Sequence, residues 1–471
     1  MATSNPTRAL AELVTNFPAE RLPAAVREQT AIVILDTLAS AMAGQDADES
    51  ARVVDAAHAV YGGGDSTMLN GDTGSQAAAT MVNAYLTTAV TVCDIHYPTV
   101  CHVTPEVVPP ALAVAEQRGS SGAELLHAVA MGLEVTTRVG VALNYQAFRD
   151  RGFHSPGITG PFGGATSAGL LAGLDGSQLT HAYGIAASQA SGTWAQLGSP
   201  TIKFQQAHGA MSGLLAATLA GRSFTATEDG LGAADGGLFS SYSDGGDPDA
   251  LLADFGSRWE MLRISLRPSP AAAYLQGVVT AMLALVREHD VRPESVATIR
   301  LGLSDTGYAL HGELSPKDRF QARLSARYVA AVVLHDRQCW LEQFTAQRFA
   351  DDELIRFARE RVTTIEDPEV KAGGATVEVR LVDGETLSMT AAVPKGDPDD
   401  PLSFDEVAEK FWMSAAGKLP AAVCEQTVAA MRELGSVGDV RSLLMPLRNG
   451  HGGHDERASG LLDGRVAGAK L

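Results

Sequence analysis

From the start of the chain to about residue 265, apolar positions recur at the three- and four-residue spacing of helices. Val26, Ile32, Val33, Leu35, Leu38 and Met42 mark one such segment over Pro23–Gly44, with Gly44 as a natural stop. Thr80–Ala89 is a second apolar stretch, and Pro110–Gln117 reads as a helix ending at Gly119. Ser121-x-x-Glu124 is a capping-box pattern that opens a long helix to about Leu143. Ser177 reads as the N-cap of a helix over Gln178–Ser188. Alanine and glycine recur along these segments. Small side chains let helix axes approach, so a close-packed bundle is expected.

The pattern changes near Arg267. Thr298–Leu303 looks like a strand, and Ala375–Leu381 (ATVEVRL) alternates with period two. Asp383-Gly384 then separates it from Thr386–Ala392, a strong hairpin signal. Phe320–Leu334 and Asp352–Val362 read as helices between the strands. Lys395–Pro401 (KGDPDDP) is a linker by composition. Helices resume at Phe404–Lys418 and Ala421–Leu434. The fold expected is mainly α with an inserted α+β unit: an all-helical domain over 1–266 plus 399–448, the α+β domain over 267–398, and a loose tail over 449–471.

A length of 471 residues suggests roughly three domain-sized units, and two fit equally well. With 45% hydrophobic and 19% charged residues the chain is globular. The formal net charge of −19 argues against nucleic acid and against an anionic membrane surface. A small anionic substrate stays possible, because a few cations in a closed site outweigh a distant, salt-screened acidic surface. Cys93, Cys101, Cys339 and Cys424 are too few for a disulfide framework in so long a chain. The first twenty residues have no cationic head with an apolar core, and no run of eighteen apolar residues appears. A reducing cytoplasm is the compartment expected.

Four segments carry candidate chemistry. Arg151–Gly164 (RGFHSPGITGPFGG) reads as a rigid glycine–proline loop that presents His154 at a helix entrance, for proton chemistry or anion binding; the plain alternative is a tight connection between packed helices. Thr91–Ala111 gathers Asp94, His96 and His102 with Cys93 and Cys101. Zinc is one reading, although the spacing fits no standard pattern. An acid–base cluster and a polar helix-to-loop junction are the others. In Gly198–Gly213, Lys203 either meets a carboxylate as a point charge or is a solvated surface lysine, and His208 is a plain helix residue. In Ser265–Gln276, Arg267 between prolines either clamps a carboxylate with its fork or marks an interdomain hinge.

Together these segments resemble the MmgE/PrpD family, which includes 2-methylcitrate dehydratase, cis-aconitate decarboxylase and an iminodisuccinate epimerase. The likeness runs from Asp36-Thr37-Leu38 to the Leu324–Tyr328 helix, is most specific in Gly152–Gly164, and includes SFTATEDGLGAADGGL at 223–238. It implies a helical domain with an α+β lid, a homodimer, no metal, no cofactor, and small polycarboxylates as substrates. Asp94, His102, His154, Lys203 and Tyr328 fall on motif positions. Other positions depart: Gln206 and Gln276 stand where histidines are usual, Arg267 replaces a lysine, and Ala271–Ala273 fill a cysteine region. A roomier, less polar pocket for a bulkier acid is expected.

The reaction implied is dehydration of a hydroxy acid, with decarboxylation, epimerisation or a ligand-binding member without turnover as alternatives. In it His102 and His154 move protons, Asp94 orients one of them, and Tyr328 donates to the leaving oxygen or to a carboxylate. Lys203 and Arg267 hold carboxylates, and His96, Gln206 and Gln276 complete the substrate contacts.

Overall fold

A computed structural model describes residues 5–449. The tail predicted from residue 449 lies outside this range except for Asn449, which ends a helix. Helix makes up 61% of the described residues. The chain divides into two compact units: residues 5–89, 96–264 and 403–449 form the first, and residues 90–95 with 265–402 form the second.

The first unit is built on α1 (Ala24–Gly44), α2 (Gln76–Ala89), α3 (Thr104–Arg118), α4 (Gly122–Ala142), α5 (Ser155–Ala172), α6 (Gly176–Gln189) and α7 (Thr201–Ala220). From Val33 to Gly44 every residue of α1 is buried, as in a helix with apolar neighbours all round. Gly44 is not a left-handed stop, because Gln45 after it is still helical at φ −60°. A Cβ at Gly44 would collide with the Leu86 carbonyl of α2, so close helix approach is what requires glycine there. Ser121 and Glu124 form the predicted capping box. The cap of α6 is Asp175 and not Ser177, since Asp175 accepts from the Gln178 N–H at 2.8 Å while Gln178 Oε1 answers the Asp175 N–H. α3 starts at Thr104, well before Pro110, and Pro109 and Pro110 lie inside it.

The largest departure from expectation is α5. Gly157, Gly160, Pro161, Gly163 and Gly164 are not a loop; they are buried helix. A Cβ at Gly160 would collide with the Glu106 side chain of α3, and one at Gly163 with Thr136 of α4. The glycines thus let α5 sit close to α3, α4 and α7 at the centre of the unit. In α4, eighteen residues are long and apolar enough to cross a membrane, although polar residues interrupt the apolar run. Within that stretch Glu134 and Arg138 pair at 2.5 Å, and 89% of it is buried within the protein.

The second unit holds α8 (Gln276–His289), β1 (Val296–Leu303), α9 (Ala326–Asp336), α10 (Asp352–Arg361), β2 (Val362–Glu366), β3 (Ala375–Leu381) and β4 (Thr386–Ala391). The sheet order is β2-β1-β3-β4. β1 runs parallel to β2, with Ile299 opposite Val362, and antiparallel to β3, with Ile299 opposite Val379. The predicted hairpin is present, with Arg380 opposite Thr386 and Gly384 at φ +96° in the turn. β2 was missed: the helix read to Val362 stops at Arg361, and the β-branched run VTTI joins the sheet. Phe320–Leu334 is two helices rather than one, broken where Ser325 caps the Tyr328 N–H. The chain then returns to the first unit as α11 (Phe404–Ala415), α12 (Ala421–Arg432) and α13 (Arg441–Asn449). Lys410 of α11 meets Asp36 of α1 at 2.6 Å, both fully buried.

Candidate active site

His154 is the N-cap residue of α5, with extended backbone at φ −112° and ψ 120°. Its N–H donates to Gly192 O at 3.1 Å, and the neighbouring Phe153 bridges Thr193, so the ring is held at its backbone. Nδ1 lies 2.7 Å from Gln205 Oε1 on the first turns of α7. Gln205 Nε2 in turn donates to Thr193 O at 3.0 Å, which fixes the amide with its oxygen toward the ring. An amide oxygen only accepts, so Nδ1 carries the proton and Nε2 keeps its lone pair. Trp194 flanks the ring edge-on at 5.8 Å, and the Arg149 guanidinium lies 4.1 Å above the indole. Burial first, then the positive fields of Lys203 and Arg149, push the His154 pKa down to about 3, while the Gln205 bond opposes them. Neutral imidazole is therefore the form present at pH 7.

Lys203 is buried at 5% exposure in the first turn of α7, which corrects the reading of a solvated surface lysine. A helix N-terminus carries positive potential and disfavours a cation but favours an anion, so lysine and helix end would bind a carboxylate together. Gln206 follows on the same helix, 1% exposed, and its Oε1 has no hydrogen-bond partner among the described residues. His102 is half-buried just before α3. Its neighbour Cys101 contacts Thr159 of α5 through Sγ at 3.4 Å, one turn along from His154. The structure thus gathers His154, Lys203, Gln206 and the His102 segment around the start of α5 and α7.

His96 stands apart. It is fully buried, with Nδ1 2.8 Å from Thr99 Oγ1 and Nε2 3.2 Å from Glu260 Oε1. Burial lowers its pKa, and the His96 bond, aided by Arg263 and Arg258, holds Glu260 down at about 2. A neutral ring donating from Nε2 and accepting at Nδ1 satisfies both partners. With both nitrogens engaged, His96 braces the fold. The ring contacts also draw it away from the zinc reading.

In the second unit, Asp94 is fully buried between Cys93 and Ile95. Ile95 and Ser265 exchange backbone hydrogen bonds at 2.9 and 2.8 Å. Arg267 donates through Nε to Cys93 O, through Nη2 to Cys93 Sγ at 3.2 Å and through Nη1 to Ala271 O at 3.3 Å. Its fork ties two backbone segments together. Gln276 Nε2 donates to Ser269 O at 3.1 Å and Ala271 O at 2.9 Å, so it shapes that turn rather than offering its amide N–H groups to a ligand. The Tyr328 hydroxyl donates to Gln343 O at 2.7 Å among Phe344 and Phe349, and burial raises its pKa.

Gln205, Arg149 and Trp194 were missed. They lie beside segments that were singled out, but no spacing rule joins residues 149, 154, 194 and 205. Buried Glu106, four residues past His102, packs against Gly160 and Gly209 and was missed too. A groove of about 1000 Å³ in the first unit, lined by residues including Tyr61, His208, Met211 and Arg448, contains none of the predicted site residues.

A buried, neutral imidazole and a buried lysine thus stand at the starts of α5 and α7. The MmgE/PrpD N-terminal domain matches residues 8–251 and the MmgE/PrpD C-terminal domain matches residues 269–434, so the chain belongs to the MmgE/PrpD family. It is 26% identical to the cis-aconitate decarboxylase-like protein oryM of Aspergillus oryzae, over 93% of this chain and 96% of that protein. It is 26% identical to cis-aconitate decarboxylase of Aspergillus terreus, over 87% and 89% of the two chains. For cis-aconitate decarboxylase of Homo sapiens the identity is 24%, over 74% of each chain.

Proposed function

We propose that the protein is a lyase acting on a hydroxy di- or tricarboxylic acid, or on a bulkier carboxylate-bearing relative. It takes the proton on the carbon next to a carboxylate and expels water. The observation that carries this reading is His154, buried and neutral with its Nε2 lone pair bare, coupled to the buried cation of Lys203. The C–H bond breaks as its proton passes to Nε2. Lys203 and the start of α7 stabilise the enolate-like charge. The C–O bond then breaks, and hydroxide leaves as water with a proton from a second acid, for which His102 is the candidate. A base of such low pKa is weak when the site is empty. A bound carboxylate offsets the fields of Lys203 and Arg149 and raises the imidazole's pKa, while the larger effect of burial remains.

Decarboxylation is the second reading, favoured by the names of the relatives. There the same imidazole would carry a proton to carbon after carbon dioxide leaves. Mass spectrometry over a panel of hydroxy and unsaturated polycarboxylic acids separates the two by loss of water or of carbon dioxide. His154→Ala and His102→Ala should each leave the chain folded and slow turnover by at least about a hundredfold. Two near-normal rates would end the proposal.

A further inference from the structure

We propose that Gln205 is the positioning residue that makes His154 the base, rather than the acid, of the reaction by holding its ring in the tautomer with a bare Nε2. This rests on the lyase reading above and settles which histidine takes the substrate's proton.

The amide is locked from two sides. Its Nε2 donates to Thr193 O at 3.0 Å, and its Oε1 accepts from His154 Nδ1 at 2.7 Å. The segment carrying Thr193 is itself zipped to the start of α5: Ser191 N–H donates to Gly157 O at 3.1 Å and Trp194 N–H to Gly152 O at 2.8 Å. Between them Gly192 has φ +148°, and a Cβ there would lie 2.9 Å from Gln205 Oε1. That position is kept free of side chain where the amide must pass. Flipping the amide would set its NH₂ against an N–H and its oxygen against a carbonyl, losing both bonds.

The choice of a neutral amide has a chemical consequence. A carboxylate at this place would also fix the tautomer, but it would stabilise the imidazolium and raise the ring's pKa. Gln205 orients the ring without adding charge, so Nε2 stays open to receive a proton. After transfer, Nε2–H and Nδ1–H are both present. The new positive charge faces the enolate-like negative charge formed in the same step, and the proton later returns to solvent.

The test compares wild type with Gln205→Met, which keeps length and removes the acceptor, and Gln205→Glu, which adds charge. Imidazole ¹⁵N spectra of the ligand-free proteins, assigned through His154→Gln, should show His154 protonated at Nδ1 in wild type and as a mixture of tautomers in Gln205→Met. Turnover of Gln205→Met should fall by about ten- to a thousandfold in kcat, within the range for losing an oriented base. Its KM should change less than about threefold, since no substrate contact is removed. In Gln205→Glu the acidic limb of the kcat/KM profile should move up by more than about one pH unit. Should Gln205→Met not fold, Gln205→Asn, whose amide stops short of the ring, replaces it with the same expectations. A folded variant whose His154 keeps the wild-type tautomer, or a Gln205→Glu profile that does not move, would overturn the proposal. If wild type turns over no acid, the lyase reading fails alone, because the spectra still report the tautomer.

Discussion

At Gly163 one methyl group acts in two opposing ways. Alanine gains up to about 1 kcal/mol of helix propensity over glycine. Its Cβ would also meet Thr136 Oγ1 and lie 2.7 Å from the Gly132 carbonyl, both on α4. Backbone cannot yield cheaply, and overpacking costs about 1–3 kcal/mol. Gly163→Ala should therefore lower the urea midpoint. Gly169→Ala on the same helix should not, because its closest neighbour, Leu174 Cδ2, is 3.3 Å away. Equal midpoints for the two would show that the glycines do not set the helix spacing. The same glycines explain a misreading. In sequence, glycine and proline announce a loop, since both weaken helices. In α5 tertiary contact overrides that preference: the glycines are where neighbouring helices come closest. His154 stood out in the sequence as a candidate, but its orientation did not, because Gln205 lies 51 positions away along the chain.

Elements were legible where the signal is local. The capping box of α4 needs only Ser121 and Glu124, and the β3–β4 hairpin only alternation around Asp383-Gly384. β2 was lost because a five-residue strand directly follows a helix with no turn residue between them. Its identity comes from pairing with β1, a partner more than fifty residues earlier. The return of α11 to the first unit is likewise long-range, and its anchor is the Lys410–Asp36 pair at 2.6 Å. Removing one partner takes the close counter-charge from a buried ion, so Lys410→Met should destabilise the protein by up to about 3–5 kcal/mol. Adding Asp36→Leu should recover most of that loss, since a buried pair replaced by apolar groups of similar size is often neutral. Denaturant melts of the single and double variants decide it. A double variant no better than the single would place the loss in packing around α1 and α11 instead of in charge.

Across the whole molecule, acid should unfold the protein in two stages. Burial lowers the pKa of His96, takes His154 to about 3 and takes His311, in the turn Tyr308–Gly312, to about 4. These rings stay neutral in the folded chain while the unfolded chain protonates them near 6.5. The unfolded state then binds more protons, and stability falls as pH drops below about 6.5, until each folded pKa is reached. Each such histidine contributes up to about 1.4 kcal/mol per pH unit, a large slope against a total stability of about 5–15 kcal/mol. Glu260, held at about 2, adds a second stage: its contribution is present above about 4.5 and is lost as pH falls toward 2. The net charge of −19 acts the other way, because protonating surface acids relieves repulsion as pH falls. High salt screens that term and leaves the buried histidines nearly untouched. In high salt the urea midpoint should therefore fall steadily between pH 7 and 5. His311→Gln should make that fall shallower by up to about 1.4 kcal/mol per pH unit, since one fewer ring takes up a proton on unfolding. A midpoint that stays flat over this range would mean that these rings are already charged in the folded protein, and the neutral His154 base would fall with it.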